Sequence, residues 1–256
     1  SGVLDLDLDT TQALLDKRGI KDVRAAGKSS RPFKVFLPLG DGTRYMLANM
    51  EVEAGLSVNT LEAAGMAIEG ADMSVVAGDG KLDLRAAGTL NEGSVNAAPT
   101  VDLLEEPPIM TLPIDSLVLK DAKITQDFLQ QQLSRVHPIL RSCAVLSGRI
   151  SIGLEEFAVP LSENIAQGME WKAAANLRDT RLEASGVLED IAGALGLKHK
   201  EVTITNQTMR VACKGGRLFP DPLDLVIDDE ELRISGSVGL DGSLDYIVDV
   251  KLSEKM

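Results

Sequence analysis

Aromatic side chains are scarce in this 256-residue chain, with five Phe, two Tyr and one Trp. They are Phe33, Phe36, Tyr45, Phe128, Phe157, Trp171, Phe219 and Tyr246. Any core must therefore be aliphatic, built from Leu, Val, Ile, Met and Ala. A base-stacking platform for single-stranded nucleic acid has too few rings to form. Positive charge is short as well. The net charge is −13, and no basic cluster offsets it locally. Phosphate backbones and anionic membrane surfaces are repelled by such a chain, so nucleic acid is not an expected partner.

Histidine is nearly missing. His137 and His199 are the two, and neither has a carboxylate or cysteine at ligand spacing, which argues against histidine catalysis and a zinc site. Cysteine is limited to Cys143 and Cys213, with no C-x-x-C pairing; two buried thiols are the favoured reading, and a bridge between them stays open. No apolar run reaches the roughly 18 residues of a transmembrane helix. The chain opens Ser1-Gly2 without a methionine or a signal peptide, which reads as a processed or trimmed chain whose targeting segment lies outside it.

What the sequence has in abundance is alternation. Over residues 201–252, Leu232, Ile234, Gly236, Val238 and Leu240 fall on one face of an extended segment. Leu244, Tyr246, Val248, Val250 and Leu252 do the same in the next, which is the period of a half-buried strand. Asp241-Gly242 between them predicts a hairpin closed by a two-residue type I′ turn. Alternation recurs at residues 3–9, 31–39, 45–58, 66–73, 82–86, 147–161 and 169–175. Ala77-Gly78-Asp79-Gly80-Lys81 lacks the spacing and the following helix of a phosphate loop and reads as another hairpin turn. Lys120-Asp121 is read as a turn within the segment 112–124.

Helical spacing is confined to short stretches. Thr10 or Thr11 can cap a helix that ends at Gly19. Thr125 can cap the clearest one, 126–140, whose stripe is Phe128, Leu129, Leu133, Val136 and Leu140, with Pro138 ending or kinking it. A further short helix over 187–195 stops at Gly196. Small and polar residues at 93–99, followed by Glu105-Glu106-Pro107-Pro108, suggest a soft boundary near residue 100. The domains expected are an N-terminal β-rich region, 1–100, and a C-terminal β-rich domain, 101–256.

Candidate sites are weak. Asp5, Asp7 and Asp9 begin like a calcium loop, but Thr10 and Asp16 stand where that loop needs Gly and Glu. Asp228-Asp229-Glu230-Glu231 reads as a solvated turn, and Asn206-Gln207-Thr208 matches a glycosylation sequon by pattern alone. No catalytic, cofactor-binding or metal-ligating constellation emerges, and the chain is read as non-enzymatic.

One family likeness stands out. The run T-M-R-V-A-C-K-G-G-R-L-F-P-D-P-L followed by L-R-I-S-G-S-V-G-L-D-G-S-L-D-Y resembles the C-terminal region of the AsmA-like proteins, relatives of the translocation and assembly module. There a "dG-r-v" strand precedes "l-x-x-G-x-v-x-L-D-G-x-l-d". The likeness spans about residues 114–252 and is clearest over 214–252. It implies a bacterial envelope protein in the periplasm, held to the inner membrane by an anchor outside this sequence, with a long bent sheet whose concave face is aliphatic. It also implies a role in outer-membrane biogenesis, with phospholipid as the ligand. An alternative is a structural or assembly module that binds an envelope protein partner through its sheet edges. The fold expected is α+β: a predominantly antiparallel sheet, elongated and bent, with two or three short covering helices.

Overall fold

The computed structural model describes residues 1–8, 23–40, 42–63, 66–162, 165–194, 196, 200–204, 208–227 and 230–251. The helix expected to start at Thr10 or Thr11 lies outside the described residues, as do Asp9, Leu195, His199, Asn206, Asp228 and Leu252. The rest form a predominantly antiparallel sheet of eighteen strands with short helices on it, as the alternation predicts.

The chain meanders. β1 (Gly2–Asp7) lies at one edge and pairs with β3 (Lys28–Phe36). β3 and β2 (Val23–Ala26) together face β4 (Glu51–Ala63), which pairs with β5 (Met66–Gly78), and β5 with β6 (Lys81–Leu90). Next come two interrupted strands. β7 (Gly93–Ala97) and β8 (Thr100–Asp102) both pair with β6. β9 (Ile109–Thr111) and β10 (Ser116–Lys123) then pair with β8 and β7 on one side and with β11 (Cys143–Pro160) on the other.

The same figure repeats. β11 pairs with β12 (Glu170–Ala184), which pairs in turn with the two interrupted strands β13 (Glu201–Ile204) and β14 (Thr208–Lys214); β14 then pairs with β15 (Arg217–Pro220) and β13 with β16 (Leu223–Ile227). β17 (Glu230–Gly239) and β18 (Leu244–Lys251) close the sheet. Pro99, Pro113 and Pro222 sit at three of the interruptions, where a residue with no amide hydrogen cannot extend a ladder. The sheet continues across residue 100 through the β6–β8 and β7–β10 pairings.

The turns follow local chemistry, with two corrections. Gly78 pairs with Lys81 around Asp79 (φ 51°) and Gly80 (φ 73°), the two positive-φ centres of a type I′ hairpin. The β17–β18 hairpin forms as expected, but its turn differs. The Gly242 amide donates to the Gly239 carbonyl at 2.9 Å, the Gly239 amide donates to Ser243 O at 2.7 Å, and Gly242 alone has positive φ (86°). This is a three-residue loop of a type I turn plus a left-handed glycine, preferred here because the Asp241 carboxylate accepts from the Ser243 amide at 2.9 Å. Lys120-Asp121 is not a turn. Asp121 (φ 57°) is a bulge inside β10, at a register shift against β11.

A third correction concerns residues 45–49, read from the sequence as strand. They belong to α1 (Thr43–Asn49), where Met46 N bonds Gly42 O and Asn49 Nδ2 bonds Tyr45 O. α2 starts at Gln126–Phe128, passes a π turn at Leu129–Leu133 and finishes at Ser134–Val136, with a 3₁₀ turn, Pro138–Ser142, after it. Thr125 caps it by accepting from the Phe128 amide at 3.2 Å. α3 is Ile165–Gly168 and α4 is Gly186–Ala194.

Both α2 and α4 turn apolar stripes onto one face of the sheet. Phe128, Leu129, Leu133 and Leu140 from the α2 region and Leu188 and Ala192 from α4 are buried in one cluster. Ile150, Leu182, Val202, Leu225 and Ile234 supply the sheet side of it. Full burial of each such side chain stabilises the fold by roughly 1.5–3 kcal/mol before entropy is counted.

Candidate functional site: the aliphatic inner face

A single face runs across the sheet from β4 to β14. Leu56 is opposite Met73, and Met73 opposite Ala86, which in turn faces Ala97. Farther along, Gly88 faces Val95, Val95 faces Leu119, Leu119 faces Ile152, Ile152 faces Ala175 and Ala175 faces Met209. Directly opposed residues share a face, so every one of these side chains projects to the same side. That side is aliphatic throughout because the strands carry their apolar residues at period two.

Its two halves differ in cover. From β10 onward, α2 and α4 lie on it and fill it. Over β4–β6 the described cover is lighter: α1 reaches β5, and Leu8 packs against Val58 and Ala71. Leu56, Met73, Val75, Leu82, Leu84 and Ala86 there are half-buried, with Val58, Ala71 and Leu8 fully buried beside them. The result is an aliphatic trough in the first half that continues into a closed core in the second.

The opposite face is polar and laced with cross-strand ion pairs. Lys34 meets Glu51 at 2.6 Å, Lys172 meets Glu156 at 2.9 Å, and Arg233 meets Asp224 at 3.2 Å. Pairing with Glu51 and Glu156 raises the Lys34 and Lys172 pKa values. Two shallow depressions, one over β16–β18 and one over β11, β12 and β14, include such pairs in their lining. Exposed pairs of this kind contribute little to stability and chiefly keep the outer face wet.

The residues singled out from the sequence lie apart from one another. His137 is fully buried behind α2, and neither ring nitrogen reaches a hydrogen-bond partner. Burial lowers its pKa to about 4, with Asp221 nearby pulling the other way. Tyr246 packs edge-on against the imidazole, ring centroids 6.3 Å apart, and its hydroxyl donates to the Val136 carbonyl at 2.9 Å. Burial pushes the Tyr246 hydroxyl up to about 12. Cys143 and Cys213 are both buried free thiols; burial pushes Cys143 up to about 12 and raises Cys213 too, so neither is poised as a thiolate. Glu231 pairs with Lys251 at 3.2 Å, and Asp7 with Lys28 at 3.4 Å. Among the described residues no three His, Cys, Asp or Glu side chains gather as metal ligands, and no helix is long and apolar enough to cross a membrane.

Sequence reasoning placed His137 beside Pro138 without foreseeing its burial. Its position four residues after Leu133, on the same helical stripe, was the signal. Compared with known protein families, characterised proteins and solved structures, the chain matches none of them. The AsmA-like likeness therefore rests on the motifs of the sequence alone.

Proposed function

We propose that this chain is a non-catalytic protein of the bacterial envelope that shields or passes lipid acyl chains along its inner face. The observation that carries the reading is the stretch over β4–β6 where inward Leu56, Met73, Val75, Leu82, Leu84 and Ala86 stay half-buried, while the same face is filled farther on. An acyl chain laid along Leu56, Val75 and Leu84 gains roughly 0.8 kcal/mol for each methylene removed from water. Flexible Met66 and Met73 side chains adapt the surface to chains of different shape. Phospholipid is the ligand that the AsmA-like likeness supplies, and the periplasm, with an inner-membrane anchor outside this sequence, is the location that goes with it.

The test is native mass spectrometry of the purified chain with organic extraction of the same sample. Stoichiometric phospholipid is expected on the wild type and lost in Leu84→Asp, with an unchanged circular dichroism spectrum showing that the variant still folds. A clean apo mass after incubation with phospholipid vesicles would overturn the reading.

A further inference from the structure

β18 is a free edge. It pairs with β17 on one side, and no described strand pairs with it on the other. Its apolar side chains stay open to solvent on both faces: Leu244 is 59% exposed, Ile247 61%, Val248 41% and Val250 38%. A long aliphatic edge with unpaired amides and carbonyls is a template for another strand. The charges along it select which strand.

We propose that β18 pairs antiparallel with β18 of a second copy of this chain, about a two-fold axis at Val248, so that two sheets join into one. Opposed residues in an antiparallel pair share a face, so the axis must pass through a residue rather than between two. An axis at Ile247 sets Asp245 against Asp249 twice, and one at Asp249 sets that carboxylate against itself. An axis at Tyr246 leaves no ion pair and a shorter overlap. At Val248 the arrangement is self-complementary. Asp245 faces Lys251 on both sides of the axis, on the outer face, while Tyr246 faces Val250 and Val248 faces its own copy on the inner face. Opposite charges directly across a strand pair are within reach, with Cβ atoms about 5 Å apart. Lys251 is 80% exposed, and among the described residues its ammonium meets Glu231 at 3.2 Å, so it has room to turn to a second carboxylate.

The other edge is a poor match. β1 reads G-V-L-D-L-D and offers no cation. Joining β18 to it head to tail sets Asp245 and Asp249 against a strand whose only charges are Asp5 and Asp7. The charge pattern therefore favours a closed dimer over an open filament. This inference is independent of the acyl-chain reading, since a monomer can carry lipid and a dimer can lack it.

The test is sedimentation velocity on the wild type across the micromolar range, with a charge-swap cycle. The wild type is expected to be dimeric at the upper concentrations. Lys251→Asp sets carboxylate against carboxylate and gives a monomer. Asp245→Lys combined with Lys251→Asp restores the dimer although the Glu231 pair is still missing, which separates the interface from any local effect. Val248→Cys is expected to cross-link under mild oxidation and Val250→Cys is not, because only position 248 meets itself across the axis. Cys143 and Cys213 are buried and stay silent. A wild type monomeric throughout, a dimer untouched by Lys251→Asp, a failed rescue, preferential cross-linking at 250 or a ladder of higher oligomers would each overturn the proposal.

Discussion

His137 is a buried base held neutral, and linkage fixes the consequence. Its pKa is lowered from an ordinary 6.5 to about 4 in the native state. The unfolded chain therefore takes up a proton first as pH falls. Stability is unaffected above 6.5, falls between 6.5 and about 4, and loses no more from this group below that, a total of roughly 3 kcal/mol. Urea midpoints at pH 7.5 and 4.5 should differ accordingly. His137→Leu should shrink the difference, because it removes both the titration and two unpartnered nitrogens. A variant whose pH dependence matches the wild type would show that carboxylates alone govern acid sensitivity. Two glycines give a paired prediction at the same scale. A Cβ on Gly236 (φ 151°) would lie 2.0 Å from the Asp245 carbonyl oxygen across the β17–β18 ladder, whereas one on Gly193 in α4 meets nothing within 4 Å. Gly236→Ala should destabilise by more than about 2 kcal/mol, and Gly193→Ala should stabilise by roughly 0.5–1 kcal/mol, both read from denaturant curves.

Among the elements, much of α2 was legible. Thr125 caps the helix and Phe128, Leu129 and Leu133 are buried where helical spacing puts them, and the helix stops before Pro138, whereas Leu140 reaches the core from the 3₁₀ turn that follows. Leu129 is 1% exposed beneath the helix. Leu129→Ala should cost roughly 2–5 kcal/mol, against about 1 kcal/mol for removing the cap with Thr125→Ala, in the same chemical denaturation assay. Equal costs would mean that the helix is held by its end rather than by its face. The strands were legible wherever alternation was strict, as in β1, β6 and β17. The misread elements share a cause. Two turns of helix at residues 43–49 are too short for periodicity to separate 3.6 from 2.0. The bulge at Asp121 and the three-residue loop at Gly242 use the same Asp and Gly residues as true two-residue turns, and only pairing register tells them apart.

For the whole molecule, the contrast between the two halves of the inner face should appear as a gradient of local stability. Amide hydrogens of β12, β16 and β17, sealed under α2 and α4, should exchange only through the deepest openings. Those of β4–β6 should exchange through shallower ones and those of β1 and β18 fastest of all, as hydrogen-exchange mass spectrometry can measure. Uniform protection would show that the trough is as well packed as the core. Period-two alternation determined the strands, their buried face and the predominantly antiparallel class, because side-chain direction in an extended chain is set by residue number alone. Scarce aromatics likewise determined a largely aliphatic interior. Which parts of that interior are filled and which stay open was decided only by tertiary structure. The same is true of the burial of His137 and the exposure of β18. Each depends on where a helix lands or a meander stops, and those contacts join residues far apart in sequence, so no local pattern encodes them.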